Sequence, residues 1–345
     1  MPKIKSNTPE WGHSLRRMPW EMNHELTKTE QLISSTVEEW YAAKHRVASE
    51  EELSLINHLE MKACPHCGCD SFVKNGFYKS GMQRYKCNSC GHGFSPLTNT
   101  IFDSRKIPFS EWIEYLLHLF EFHSIRTSAR DNRNANSTGK YWLIKVFGVL
   151  KGVQQDVKLH GDVFIDEMFF SVYPRNQIKK DGKQLRGISR NKICVASGID
   201  SSGNILLLVE NNSKPSSKST WDAYGEHIEE GSHLIHDGEH SHNVLVERLH
   251  LSETVYQTAI TKQLKDEDNP LDRINDFHSL CKRFMRAHGG FNRDDLQDWL
   301  NLLWFIMSPP VNRYEKVSKF IEMALSVPLT VRYRQVMGKK QPNNQ

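Results

Sequence analysis

Long apolar runs are missing from this 345-residue chain. A bilayer-spanning helix needs about 20 consecutive apolar residues, and runs such as Ile205–Val209 stop far short of that. Met1–Arg17 carries charge but no apolar core of roughly 7–15 residues, so no secretory leader is expected there. The expectation is a cytoplasmic protein with no membrane partner. A large excess of one charge is missing too. The chain has 45 Lys and Arg against 41 Asp and Glu, a formal +4, which permits a nucleic-acid partner without requiring one. Internal repeats and low-complexity tracts are absent, so a repeat architecture is excluded. Cysteine usage argues against a disulfide framework. There are seven Cys, an odd number, and four of them form two CxxC pairs, the pattern of metal binding in a reducing compartment.

What is present suits a globular protein. Hydrophobic residues make up 38% and charged residues 25%, enough apolar material to bury a sizeable core. At roughly 100–200 residues per domain, two or three domains are expected. Charge is clustered. Residues 126–158 hold seven Lys/Arg against two Asp, and residues 173–192 hold seven against one. Such stretches suit a polyphosphate backbone, although solvated loop faces carry the same composition.

The most specific pattern is Cys64-Pro65-His66-Cys67 with Cys87-Asn88-Ser89-Cys90, 19 residues apart. Gly68 and Gly91 follow the two pairs, where a tight turn favours a residue without Cβ. Two such knuckles can present four thiolates to a structural zinc ion and staple a segment too small for a core of its own. His66, Cys69 and His92 are neighbouring alternative ligands. Between the knuckles, Lys74, Lys79, Arg84 and Lys86 alternate with Phe72, Phe77, Tyr78 and Tyr85. That composition suits DNA contact or protein docking.

Helical periodicity follows. Phe109, Trp112, Ile113, Leu116, Leu117 and Phe120 share one face, with Ser110 as the expected cap. A short segment, Thr127–Arg133, precedes a third helix expected from Thr138 to Val153 with Ser137 as its cap. Helix, short helix and recognition helix fit a helix-turn-helix unit. Lys140, Tyr141 and Lys145 lie off the apolar stripe of the third helix and are candidate DNA contacts, with Arg130 and Arg133 on the middle segment. Any small three-helix unit shows the same periodicity.

From Gly161 the pattern turns to strands. Val163–Phe170, Ile193–Ile199, Ile205–Val209 and the short Leu234-Ile235 read as strands, Trp221–Ile228, Leu271–Arg286 and Asp294–Met307 as helices. Strands followed by alternation with helices predict a mixed α/β core. Asp166 sits at the end of the first strand, and Asp237 follows a later one. Acids on neighbouring strand ends can hold magnesium, which takes oxygen ligands and leaves positions open to phosphate. A lone strand-end Asp is more often a turn former. Alternation cannot choose between Asp166 and Glu167, and Glu239 is an alternative to Asp237. On Leu271–Arg286, residues Asn275, His278, Ser279, Lys282 and Arg286 form one polar, basic face. Asn275 and Lys282 are two turns, about 10.5 Å, apart.

Together these stretches resemble the bacterial insertion-sequence transposases that have an N-terminal zinc ribbon and a DDE-type, RNase H-like catalytic core. They are closest to the branch with Asn at the third catalytic position. The resemblance rests on residues 64–90, FIDEMFF (164–170), RGISRNKICVASGID (186–200), LIHDGEH (234–240) and RINDFHSLCKRFMRAHGGFNRDDLQDWLN (273–301). It implies that Asp166, Asp237 and Asn275 hold magnesium or manganese, with Lys282 as a DNA-contacting base and Cys64, Cys67, Cys87 and Cys90 holding zinc. Asp272 and Asp276 rank below Asn275 as the third ligand, because the spacing of seven to Lys282 runs from Asn275. The implied activity is hydrolysis of the DNA backbone at element ends, exposing 3′ hydroxyls that then join to target DNA. A homo-oligomer on double-stranded DNA is implied as well. The expected organisation is a helical region over 1–60, a ribbon over 61–98, a helix-turn-helix domain over 99–158, the catalytic domain over 159–310, and a C-terminal helix and tail over 311–345. The competing readings are a non-catalytic regulator descended from a transposase, a simple metal-dependent nuclease without target joining, and a zinc-ribbon transcription or docking factor.

Overall fold

A computed structural model describes residues 25, 27–29, 31–32, 50–103, 107–132, 134–172, 176–261, 263–265, 268–288 and 293–338. Arg133 and most of region 1–60 lie outside the described residues. Helix α1 (Glu50–Asn57) is followed by a small antiparallel sheet of β1 (Phe72–Phe77), β2 (Gln83–Cys87) and β3 (Gly93–Phe94). Three helices come next: α2 (Phe109–Phe120), α3 (Ile125–Asp131) and α4 (Asn136–Val149). The cap expected of Ser110 is supplied from a distance: Pro108 precedes α2, and the Phe109 N–H donates to Glu52 Oε2 of α1 at 3.0 Å. Helix α4 starts at Asn136, ahead of the expected Ser137 cap. These helices pack tightly. Trp112 stacks on Trp142 at 4.2 Å between centroids, and the Tyr115 hydroxyl donates to the Gly139 carbonyl. A Cβ on Gly139 would lie 2.8 Å from the Ala129 Cβ, so only glycine allows this approach of α3 and α4.

The central sheet contains β4 (Asp162–Ser171), β7 (Lys192–Asp200), β8 (Ile205–Asn212), β9 (His233–His236) and β10 (Ser252–Val255), in the order β10-β9-β4-β7-β8. A two-stranded hairpin, β5 (Lys179–Lys180) and β6 (Lys183–Gln184), projects between β4 and β7. The β4-β7-β8 portion is antiparallel, while β9 and β10 run parallel to β4. This is the mixed α/β sheet that the sequence predicts. Helices cover both faces. Alternation along β4 sends Val163 and Ile165 to one face, where they join α5 (Ser217–Tyr224) and α6 (Asn243–Arg248). Phe164, Met168 and Phe170 go to the other. There they meet α8 (Asp272–Ala287) and α9 (Leu296–Met307), beyond a one-turn α7 (Thr258–Thr261). That second core is continuous with the three-helix segment, as Phe147 packs edge-on against Trp299 at 5.2 Å.

Edge strand β8 would expose unpaired backbone groups, a template for unwanted pairing. Side chains cover them. Gln154 pairs both ways with the Leu207 backbone, at 2.8 Å each. The Val209 N–H donates to Gln297 Oε1, and Trp304 Nε1 donates to the Ile205 carbonyl. The C-terminal helix expected after residue 311 is α10 (Arg313–Ser326), capped by Asn312 and followed by the single turn α11 (Tyr333–Val336). Lys316 of α10 is buried and donates to the carbonyls of Phe305, Ile306 and Ser308, closing the end of α9.

Candidate functional site

The two knuckles bring their four sulfurs together within 4.8 Å of one another. Cys64 and Cys90 Sγ are 3.8 Å apart, and Cys67 and Cys87 Sγ 3.6 Å. A tetrahedron with sulfur about 2.3 Å from its centre has edges of about 3.8 Å, so the cluster has the dimensions of a thiolate metal site. Gly68 and Gly91 take φ of +76° and +72° and donate back to the Cys64 and Cys87 carbonyls, which forms the turns. The alternative ligands His66, Cys69 and His92 are not among the four. Lys74, Lys79, Arg84 and Lys86 are exposed on the hairpin, beside an exposed Phe77.

In the sheet, the parallel pairing of β4 and β9 aligns Phe164 with Ile235. Asp166 lies two residues further along β4, and Asp237 immediately follows the end of β9 at His236. The Asp166 carboxyl is raised to about 7, first by burial and then by the charges of Glu167 and Asp237. Alternation resolves what the sequence left open. Asp166 pairs across with Ser197 and faces α8, whereas Glu167 pairs with Ala196 and turns to the opposite core. There Glu167 Oε1 meets His242 Nε2 at 2.8 Å, His242 Nδ1 meets His236 Nδ1 at 2.9 Å, and His236 Nε2 reaches Glu253 at 3.2 Å. The Gly238 N–H also donates to His236 Nδ1, so that nitrogen is an acceptor and His242 Nδ1 carries the proton. With its hydrogen-bonded Glu167 and nearby Asp237 and Asp166, His242 has its pKa raised against the opposing effect of burial. His236 is lowered by burial and by His242. The ring nitrogens of the pair thus meet Glu167, Glu253 and each other, and His236, Asp237 and His242 each bring a ligand atom within 4.8 Å of the others. Glu239, the alternative to Asp237, faces Lys214 at 3.8 Å.

Helix α8 delivers one side chain directly to Asp166, and it is His278. Its Nε2 lies 2.5 Å from Ser197 Oγ, and its Nδ1 lies 3.5 Å from Asp166 Oδ2. The Ser197 hydroxyl donates to the Asp166 carbonyl at 2.6 Å, so it must accept from His278 Nε2–H. That leaves the Nδ1 lone pair facing the carboxyl. Burial, and then Lys282, lower His278 to about 3 and keep it neutral. The periodicity placed His278 on a polar face; His278 is buried toward Asp166, while Asn275, Ser279, Lys282 and Arg286 of that face are exposed. Asn275 is exposed and stands about 4.5 Å before His278 along the axis, and Lys282 is exposed one turn after it. Asp272 is a further turn away, and Asp276 is rotated about 100° from Asn275.

The helical DNA-contact candidates separate. Arg130 and Lys140 are exposed, with Arg130 paired to Asp131 at 2.9 Å. Tyr141 and Lys145 do not face outward as the periodicity suggested. The Tyr141 hydroxyl donates to the Val331 carbonyl at 2.5 Å. Lys145 is buried, lies 4.7 Å from the Tyr141 ring centroid and donates to the Ile101 carbonyl. Burial lowers its pKa to about 8, with Asp103 opposing. The segment between α1 and α2 and the C-terminal turn cover a face that helix periodicity alone leaves open.

The sequence matches no protein-family model and no curated protein. Among solved structures, the chain is similar to one in the simian T-cell lymphotropic virus intasome bound to the PP2A regulatory subunit B56 gamma. Identity is 12% and the TM-score 0.28, over 55% of this chain and 64% of that one. It thus spans less than two thirds of the intasome chain. It is also similar to a pre-cleavage Mos1 transpososome, with 12% identity and a TM-score of 0.22 over 62% and 78% of the two chains. The catalytic domain of Mos1 mariner transposase gives 14% identity and a TM-score of 0.23 over 54% and 94%. Likeness at this level carries no residue-by-residue assignment.

Proposed function

We propose that the chain is a metal-dependent DNA transposase with an RNase H-like core and a zinc ribbon. The observation that carries this reading is the buried Asp166 carboxyl, which feels the Asp237 charge and lies 3.5 Å from His278 of α8. The donor set suits a divalent cation. Burial, and then the charges of Glu167 and Asp237, hold Asp166 far above its usual range. In addition, Asp166 Oδ2 and His278 Nδ1 are both acceptors, 3.5 Å apart, a pairing that calls for a proton or a cation nearby. Asp166, Asp237 and Asn275 would hold magnesium or manganese, which neutralises the acids and stabilises charge on a phosphoryl group. An amide oxygen at Asn275 is a weaker ligand than a carboxylate, so the two aspartates carry most of the binding. Ser197 and His278 fix the orientation of Asp166, and exposed Lys282 takes a DNA phosphate. Cys64, Cys67, Cys87 and Cys90 hold zinc, and the basic hairpin between them, with Arg130, Arg133 and Lys140, contributes phosphate contacts.

The test uses the purified protein and DNA carrying the terminal inverted repeats that flank its coding region. Strand nicking to a 3′ hydroxyl, followed by joining to a second DNA, is expected with magnesium or manganese and not without them. Binding of those ends with no nicking under any divalent ion would instead support the regulator reading. A finer test concerns orientation. His278→Ala is expected to raise the magnesium concentration needed for half-maximal cleavage by about 10–100-fold with end binding unchanged. An unaltered magnesium requirement would remove His278 from the site.

A further inference from the structure

Helix α2 closes in a tight turn: the Phe122 N–H donates to the Leu119 carbonyl and the His123 N–H to the His118 carbonyl. This is the Schellman arrangement, in which the residues at the positions of His118 and His123 commonly make an apolar contact. Here both are imidazoles, stacked with centroids 5.0 Å apart and planes 29° from parallel. The Nδ1 atom of each is buried and has no hydrogen-bond partner among the described residues. Leaving one such nitrogen unsatisfied is costly, and leaving two side by side calls for a shared ligand. The third member is Asp131, the last residue of α3, and the ligand atoms of all three lie within 4.8 Å of one another. A carboxylate at a helix C-terminus opposes the helix dipole unless a cation is near. Arg130 engages its Oδ1, which leaves Oδ2 available. Phe122 at the turn has φ of +66°, a costly conformation for a bulky residue, and is held there edge-on to Phe284 at 5.0 Å.

We infer that His118, His123 and Asp131 bind a transition-metal ion of the zinc class, clamping the α2–α3 turn. Two imidazoles and a carboxylate suit zinc, cobalt or nickel, with a fourth position left to water. The strained turn is then a device for bringing the two rings together, and the metal satisfies both orphan nitrogens while offsetting the charge at two converging helix ends. This inference does not depend on the transposase reading.

The experiment is metal analysis of the full chain after loading with zinc and removal of loosely bound ions. About two zinc ions per chain are expected, one for the cysteines and one here. His118→Leu/His123→Leu restores the apolar contact usual in this turn, so it should fold and lose one equivalent. Cys64→Ser/Cys67→Ser should lose the other. Cobalt loading separates the two sites, since only the cysteine site gives thiolate charge-transfer absorption. Asp131→Asn, which leaves the ring packing intact, is expected to weaken cobalt binding at the histidine site by about 10-fold or more, with thiolate absorption unchanged. Should His118→Leu/His123→Leu fail to fold, the Asp131→Asn titration decides. Zinc content unaffected by the histidine pair, or cobalt affinity unaffected by Asp131→Asn, would overturn the inference.

Discussion

Asp166→Asn and Asp237→Asn are each expected to reduce strand cleavage and joining by about 10³-fold or more, while leaving binding to element ends within a few-fold of the parent. The expectation follows from what the acids do. In the proposed site each would supply charge to the ion that stabilises the phosphoryl transition state, and loss of even one neutral donor in such a site costs on the order of 10²–10³ in rate. Binding to ends depends mainly on phosphate contacts elsewhere and should persist. A stability measurement sharpens the test. The folded pKa of Asp166 is raised from 3.8 to about 7, so its ionised form destabilises the metal-free fold. Between those values the folded state binds more protons than the unfolded one, and the stability contributed by this group falls as pH rises. Asp166→Asn removes that cost. The variant should therefore melt higher than the metal-free parent at pH 8, with the difference shrinking toward pH 4. Magnesium should stabilise the parent at pH 8 and not the variant.

Asp200 provides the contrast. It ends a strand and is fully buried, whereas Asp166 lies mid-strand where the sequence suggested a strand end. Its Oδ1 accepts from the backbone N–H groups of Ser202 and Asn204 at 2.9 Å, and its Oδ2 from the Asn204 side chain at 2.8 Å. That is the turn-forming role that a strand-end aspartate usually has, and the same substitution there removes acceptors and destabilises. A lower melting temperature for Asp166→Asn at pH 8, together with full cleavage activity, would place Asp166 in the same structural class as Asp200 and end the catalytic reading.

Much of this arrangement was legible in the sequence, and the reasons differ by element. Strand β4 showed itself because apolar residues fill both of its faces, and the CxxC pairs because spacing alone fixes a knuckle. Strand β10, Ser-Glu-Thr-Val at an exposed edge, carries no apolar alternation, so its pairing with β9 is visible only in three dimensions. His242 and Glu167 are 75 positions apart, and nothing local in the chain announces their hydrogen bond. His278 could be placed on the correct helix face, but its burial depends on how α8 lies against β4. Lys145 was misjudged for a related reason. Periodicity reports which side of a helix is apolar, and a lysine whose ammonium caps a buried carbonyl reads the same as one in water.

The ribbon leads to the second large effect. Its own core comprises little more than Phe72, Tyr85 and Phe94 around the cysteines, and a segment of this size cannot hold a fold by apolar burial alone. Metal binding at a four-thiolate site supplies on the order of 10 kcal/mol at neutral pH, so Cys87→Ser is expected to unfold the segment from Met61 to Phe94. The rest of the protein has its own core and should stay folded. The two meet where the Asn57 side chain of α1 donates to the Gly81 carbonyl and accepts from the Gln83 N–H, and where Met82 packs against the larger core. Limited proteolysis should therefore cut Cys87→Ser within this segment and leave the sheet and its helices intact. Affinity for element ends should fall at least about 10-fold and lose part of its salt dependence, because exposed Lys74, Lys79, Arg84 and Lys86 are no longer held on one hairpin. A Cys87→Ser protein that resists proteolysis there and binds ends with unchanged salt dependence would show that the hairpin stands without its metal and makes no phosphate contacts.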